Sequence, residues 1–297
     1  PEFMNKAADD RADEINTCIG CNQACLDHTF KLKRSTCLVN PRACNETELN
    51  YIPTTTPRNY AVVGAGPAGL AASTVLAGRG HNVTLFDAAD EIGGQFNVAK
   101  QIPGKEEFYE TLRYFNKQIE LTGVTLKLGQ RVEAKELIAG GFDAVLLATG
   151  ISPRLPGIPG IEHEKTLTYL DVLKHKKPVG KSVAIIGAGG IGFDIAEYLS
   201  HQGKSPTTDI QLFNKEWGVG DPELSRGGLV KPDPEPSPRN VYLLQRKQES
   251  LGKRLGKTTG WIHRTSLKHK KVNMLAGVSY QKIDDAGLHI EQNGKTE

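Results

Sequence analysis

The chain has 297 residues, about two domains' worth, and its 38% hydrophobic and 24% charged residues are enough for real cores. No run approaches the roughly 18 continuous apolar residues of a spanning helix, and no charged-then-apolar leader resembles a secretion signal. With 37 basic against 34 acidic residues, the net charge of +3 is too even to argue for nucleic acid or an anionic membrane surface.

Residues 1–50 hold all five cysteines and no long apolar run. Cys18, Cys21 and Cys25 form a C-x₂-C-x₃-C run, and Cys37 follows after eleven intervening residues. Four thiols converging from one short segment suit an iron–sulfur cluster. The rivals are a structural zinc, which usually draws on two separated C-x₂-C pairs, and a redox-active C-x-x-C. Cys44 is left over and reads as a small hydrophobe near the cluster. Residues 51–58, with Pro53, Pro57 and a threonine tract, read as a linker.

From residue 59 the pattern is strand, glycine turn, helix, strand: Tyr60–Val63, Gly64–Gly69, Leu70–Arg79 and Asn82–Phe86. Gly64, Gly66 and Gly69 fit G-x-G-x-x-G, with Ala65, Pro67 and Ala68 between them. The first glycine permits the tight turn, the second lets backbone approach a pyrophosphate, and the third lets helix and strand pack closely. The helix N-terminus supplies amides and a positive dipole end for phosphate. Asp87 ends the second strand eighteen residues past Gly69, where a carboxylate can bond ribose hydroxyls. Gly93-Gly94-Gln95 and the strand Asp143–Leu147 running into Ala148-Thr149-Gly150 resemble the glycine pair and strand-end turn of flavoprotein reductases, a likeness that implies FAD rather than NAD at this first site.

The arrangement repeats at Ser182–Ile186, Gly187–Gly192 and Phe193–Ser200, with Gly187, Gly189, Gly190 and Gly192 in the turn. Two such units imply two mononucleotide-binding α/β domains: a FAD-binding domain over 59–155 and an NADPH-binding domain over 156–297. A long irregular insert between residues 199 and 240 reads as a surface excursion. The strand Val241–Leu244 ends in Gln245-Arg246-Lys247 rather than in an acid. Two cations in place of a ribose-binding carboxylate favour a 2′-phosphate, hence NADPH over NADH; the alternative is that Arg246 and Lys247 are solvated surface residues. Strands follow at Val272–Leu275, Tyr280–Ile283 and Leu288–Glu291. Asn293-Gly294 predicts a further tight hairpin whose returning strand is barely begun. The opening Pro1-Glu2-Phe3-Met4 and this ending suggest a piece of a longer polypeptide.

Asp13–Asp27 with its cysteine run resembles the iron–sulfur segment of the bacterial 2,4-dienoyl-CoA reductases. The likeness continues through Cys37–Cys44, Gly93–Asn97, Lys100–Phe108 and Leu255–Arg264, and so covers essentially the whole chain. The wider group includes trimethylamine dehydrogenase and other enzymes of old-yellow-enzyme type. The resemblance implies a longer protein: an N-terminal FMN-binding TIM barrel that reduces the dienoyl-CoA, then the cluster, then FAD and NADPH domains. It also implies that a segment beyond this chain completes the FAD domain. By the same resemblance Cys18, Cys21, Cys25 and Cys37 ligate a 4Fe–4S cluster. Ala68, Asp87, Gln95, Lys105 and Val132 line the FAD site, and Arg246 and Lys247 hold the NADPH 2′-phosphate. Trp261 lies near the nicotinamide half, against the alternative of a packed core aromatic. No catalytic acid or base is expected in this chain. The expected partners are the barrel domain and, in the full enzyme, 2,4-dienoyl-CoA, with no nucleic acid and no membrane. The expected location is the cytoplasm, from the missing leader, the NADPH site and an oxygen-sensitive cluster.

Overall fold

The structure, a computed structural model, describes residues 2–296. It divides into two compact units. One takes the chain up to Lys100 together with Glu107–Ser152, and the other takes Gln101–Glu106 together with the chain from Pro153 onward. The cysteine-rich segment and the linker fall in the first unit. The six residues from Gln101, counted in the FAD-binding domain on sequence grounds, cluster instead with the second. No helix among the described residues is long and apolar enough to cross a membrane.

The first unit is built on a four-stranded parallel sheet of β1 (Asn59–Val63), β2 (Asn82–Phe86), β3 (Thr125–Lys127) and β4 (Ala144–Leu147), in the order β3-β2-β1-β4. That order, with crossover helices, is the doubly wound arrangement expected from the repeat of strand and glycine turn. The Pro67–Gly78 helix follows β1 and the Glu107–Thr122 helix follows β2. The core joins Val62, Leu70, Val83, Leu85, Ile119 and Val124. Burial is nearly complete in the middle of the sheet and fails at its edge: Leu147 of β4 is 75% exposed.

The second unit holds a three-stranded parallel sheet in the order β5 (Ser182–Ile186), β6 (Asn240–Leu244), β7 (Asn273–Leu275). It also holds an antiparallel meander of β8 (Ser279–Asp284), β9 (Gly287–Gln292) and β10 (Lys295–Thr296). Val278 and Ile290 bury against Leu244, which joins the meander to the parallel sheet. The predicted turn at Asn293-Gly294 forms with both residues at positive φ, and the returning β10 has two residues. Helices begin earlier than the apolar pattern suggests, at Pro67 and Gly190, because the last residues of each glycine turn are already helical.

The insert before β6 is not irregular throughout. Asp209 caps an Ile210–Trp217 helix by accepting from the amides of Gln211 and Leu212. Glu216 at its end meets Lys270 with both side chains nearly buried. The excursion is therefore pinned to the unit by an ion pair as well as being exposed along much of its length.

Candidate functional site

The first glycine turn is shaped by contacts that only glycine permits. Gly64 has φ +106°, and a Cβ there would lie 2.3 Å from the carbonyl oxygen of Ala148. A Cβ on Gly69 would lie 1.7 Å from the oxygen of Gly64, so the helix can sit this close to the strand only without one. Gly66 behaves differently: a Cβ there would meet nothing within 4 Å. The first and third glycines are thus filled against protein, and the second faces open space at the start of a helix that has Pro67 in its first turn and Ala68 next. That is a cradle for a group brought from outside, with unpaired amides aimed into it.

The pieces expected around this cradle assemble on it. The Gly93 amide donates to the Ala65 carbonyl at 2.8 Å, and Gly94 is so close to the turn that its Cβ would lie 3.0 Å from the Gly66 Cα. Gln95 follows at the start of the short Phe96–Ala99 helix. Asp87 accepts from the Ala65 amide at 2.6 Å and the Ala89 amide at 2.8 Å, which fixes its carboxylate at the mouth of the turn. A carboxylate accepts about four hydrogen bonds, so capacity remains for two ribose hydroxyls. The segment carrying Val132 is tied to the same strand end, with Gln130 donating to Asp87 and Gly129 to Ala89 through backbone.

Lys105 is the one position expected on the FAD site that the structure groups with the second unit. Its ammonium bridges both oxygens of Asp194, at 2.6 and 2.7 Å. Asp194 lies two residues past Gly192, and no local spacing connects it to a lysine 89 positions away.

The second glycine turn repeats the geometry of the first. Gly187 has φ +107° and its amide donates to Leu244 at the end of β6. A Cβ on Gly192 would lie 1.9 Å from the Gly187 oxygen, while Gly189 and Gly190 face open space. Arg246 and Lys247 are exposed at the end of β6, and neither makes an ion pair among the described residues. Around them Gln245 donates to Lys247, and Gly277 donates back to the same carbonyl, holding the loop in place. Trp261 is 54% exposed in the first turn of the Gly260–His269 helix, which excludes the packed core role.

The five cysteines are all free thiols. The Thr36 amide donates to Ala24 at 2.7 Å, which sets the neighbouring Cys25 and Cys37 side by side in the chain path. Asn16 donates to Val39 at 2.8 Å and closes the same loop from the other end. The Gly20 amide points at Cys18 Sγ at 3.4 Å. Arg113, on the Glu107–Thr122 helix, donates to the carbonyls of Ala12, Asp13 and Ile15 and holds the segment to the first unit. Among the described residues, no three histidine, cysteine or acidic side chains come close enough to share one metal ion.

Sequence reading missed Glu197 and His263, which are bonded at 2.9 Å. The available signal was an acid inside the otherwise apolar run Ile195–Leu199, whose neighbours Ile195, Ala196 and Leu199 are all buried.

Residues 58–297 match the pyridine nucleotide-disulphide oxidoreductase family. A metal reductase of Desulforamulus reducens is 32% identical over 99% of this chain and 44% of its own length. A cinnamate reductase of Clostridium sporogenes is 33% identical over 74% of this chain and 33% of its length. A solved 2-naphthoyl-CoA reductase superposes with a TM-score of 0.83 at 28% identity, over 99% of this chain and 39% of that one. The chain thus spans less than half the length of these relatives. With two dinucleotide turns of matching geometry, it belongs to the pyridine nucleotide-disulphide oxidoreductase family and is an oxidoreductase module that binds flavin and pyridine nucleotide.

Proposed function

We propose that this chain is the electron-input half of an NADPH-dependent 2,4-dienoyl-CoA reductase. It would be joined in a longer polypeptide to an FMN-binding barrel that reduces the unsaturated acyl-CoA for β-oxidation. The observation that carries this reading is the pair of equivalent glycine turns, one closed by Asp87 and the other flanked by unpaired Arg246 and Lys247. The acyl-CoA class draws on the likeness to the 2-naphthoyl-CoA reductase over nearly the whole chain. A partner segment is supported by β4, a sheet edge whose Val145 and Leu147 are exposed, as edges awaiting a neighbour are.

When bound, FAD, NADPH and a 4Fe–4S cluster supply the redox chemistry, the flavin exchanging electrons in pairs or singly and the cluster one at a time. The chain's residues hold and orient them. Gly66 and Ala68 would present amides to the FAD pyrophosphate from a turn that Gly64, Pro67 and Gly69 shape, Asp87 would take its ribose, and Gly94, Gln95 and the Val132 backbone would frame the rest. Gly187, Gly189, Gly190 and Gly192 receive the NADPH pyrophosphate. Arg246 and Lys247 offer planar and point-charge donors to its 2′-phosphate, and Trp261 offers an exposed ring face to its nicotinamide half. Cys18, Cys21, Cys25 and Cys37 hold the cluster: the donor set fits, being four free thiols on one stapled loop with an amide already aimed at Cys18. The FAD half-reaction would require no acid–base side chain from this chain. A cytoplasmic location is part of this proposal, drawn from the NADPH site and the oxygen-sensitive cluster.

A second reading, the same module of another old-yellow-type reductase or an amine dehydrogenase, draws on the 32% identity to a Chromohalobacter salexigens N,N-dimethylglycine/sarcosine dehydrogenase. A non-catalytic zinc and nucleotide-binding module is the third. The test is anaerobic absorbance with iron, sulfide, zinc and flavin analysis, before and after NADPH or NADH. Iron, sulfide and a flavin bleached faster by NADPH are expected. Zinc in place of iron with no flavin overturns the redox reading, and equal rates with NADH overturn the NADPH assignment. Joining the chain to candidate barrels and assaying dienoyl-CoA against amines separates the first two readings.

A further inference from the structure

The helix that follows the second glycine turn carries two acids one turn apart, Asp194 and Glu197, and each meets a basic side chain from another part of the second unit. Asp194 takes Lys105. Glu197, whose side chain is only 10% exposed, takes His263 Nδ1 at 2.9 Å. His263 stands two residues after Trp261 in the Gly260–His269 helix. The segment leading to that helix packs on the start of the nucleotide helix: a Cβ on Gly252 would lie 2.7 Å from the ring of Phe193, the residue after Gly192. Arg264 closes the segment on itself by donating to the Gly252 carbonyl at 3.0 Å. The Glu197–His263 bond is thus a side-chain tie between the helix that would receive the nucleotide and the turn that displays the half-exposed Trp261 ring.

We propose that Glu197 and His263 are positioning residues of the pyridine-nucleotide site, fixing the Trp261 turn against the nucleotide helix so that the grip on NADP(H) depends on the charge of His263. This rests on the reading of the second glycine turn as the NADPH site.

Charge is what makes the tie strong. A buried carboxylate is costly unless a cation meets it, and burial pushes the Glu197 carboxyl up. The hydrogen bond to Glu197 in turn raises His263 above the ordinary histidine range, against the opposing effect of burial. The other charged groups facing the pair are Asp194 on the same helix and Lys105 beside it, which oppose one another; Arg264, on the helix of His263, is engaged with Gly252. A group whose folded pKa is raised contributes fully below its unfolded value, near 6.5 for histidine, and its contribution is lost as pH rises through the folded value. Nucleotide affinity should therefore fall as the solution becomes alkaline. By reciprocity, bound nucleotide should raise the His263 pKa further.

The test uses the chain as it stands. His263 is titrated by NMR with and without saturating NADP⁺, and NADP⁺ dissociation constants are measured by calorimetry across pH for the parent, His263→Gln and Glu197→Gln. Saturating NADP⁺ is expected to move the His263 titration upward. The parent should lose roughly fivefold in affinity across that titration, the low end of ordinary coupling between sites. Ionisation of the nucleotide's own phosphate contributes equally to parent and variants, so the variants should lack only the His263 component. An unmoved His263 titration beside normal NADP⁺ binding overturns the positioning role alone, as does a pH profile shared by the parent and His263→Gln. The NMR arm needs no variant and so survives a variant that fails to fold. A folded parent that binds no NADP⁺ at any pH overturns the nucleotide reading, and this inference with it.

Discussion

Replacing Gly66 and Gly69 one at a time with alanine separates what the first glycine turn does for the fold from what it does for a ligand. At Gly69 the new methyl carbon would start 1.7 Å from the Gly64 oxygen and 3.0 Å from its carbonyl carbon, both backbone atoms that cannot swing away. To reach ordinary contact the helix must retreat from β1 by more than 1 Å. Overpacking of that kind costs about 1–3 kcal/mol and sometimes more, set against a helix-propensity gain of about 1 kcal/mol for alanine over glycine. A backbone clash this deep takes the upper end of that range, so the balance should be destabilising by about 2 kcal/mol or more, lowering Tm by several degrees at roughly 2–8 °C per kcal/mol for units of this size. At Gly66 the methyl meets nothing within 4 Å, and φ of −77° suits any residue. Stability of the apoprotein should be unchanged to within about 0.5 kcal/mol. The methyl would instead occupy the space where a pyrophosphate must approach. A similar steric cost of about 1–3 kcal/mol, now charged to binding, weakens FAD by roughly five- to 150-fold. Thermal melts of apoprotein and flavin titration by fluorescence measure the two effects separately. Gly66→Ala with undiminished FAD affinity, or Gly69→Ala as stable as the parent, would refute the division of labour drawn from these contacts.

Three further outcomes are expected. Arg246→Ala with Lys247→Ala should weaken NADPH by about tenfold or more, each lost charge-assisted bond being worth roughly 1.5–3 kcal/mol before solvent screening, and leave NADH nearly untouched; parallel loss for both nucleotides in steady-state kinetics would show that the pair does not read the 2′-phosphate. Lys270→Met leaves Glu216 buried without its cation and removes the 2.9 Å donation to the Glu235 carbonyl, so chemical denaturation should show a loss of about 3–5 kcal/mol, partly restored by adding Glu216→Gln. Asp171 is held well below the usual carboxylate range, first by its hydrogen bond to Lys177 and then by Thr168. A depressed carboxyl contributes stability above its unfolded value, near 3.9, and loses it as pH falls through the folded one. The parent should therefore lose Tm more steeply than Asp171→Asn as melts are taken down into acid, and parallel curves would contradict the assignment.

Both glycine turns were legible from the chain alone, because what they require is local. A tight turn at Gly64 or Gly187 and a helix pressed against it at Gly69 or Gly192 involve residues within six positions of each other, and only glycine satisfies both. The β8–β9 meander and the turn at Asn293-Gly294 were legible for the same reason, their pairing being set by alternation and by residues that accept positive φ. The cysteine spacing suggested a cluster, while the bonds that hold the loop, Thr36 reaching Ala24 and Asn16 reaching Val39, show only in the fold.

Tertiary structure alone decided the rest. Lys105 pairs with Asp194, 89 positions away in the same second unit. Glu197 finds His263 across 66 positions, Arg113 holds carbonyls about a hundred positions upstream, and Lys270 anchors an insert whose composition reads as loop. The partner of each of these polar groups is whichever complementary group the packed chain brings within hydrogen-bond reach. No period or spacing along the chain encodes that meeting, so sequence shows the odd charge among apolar neighbours and the fold supplies its counterpart.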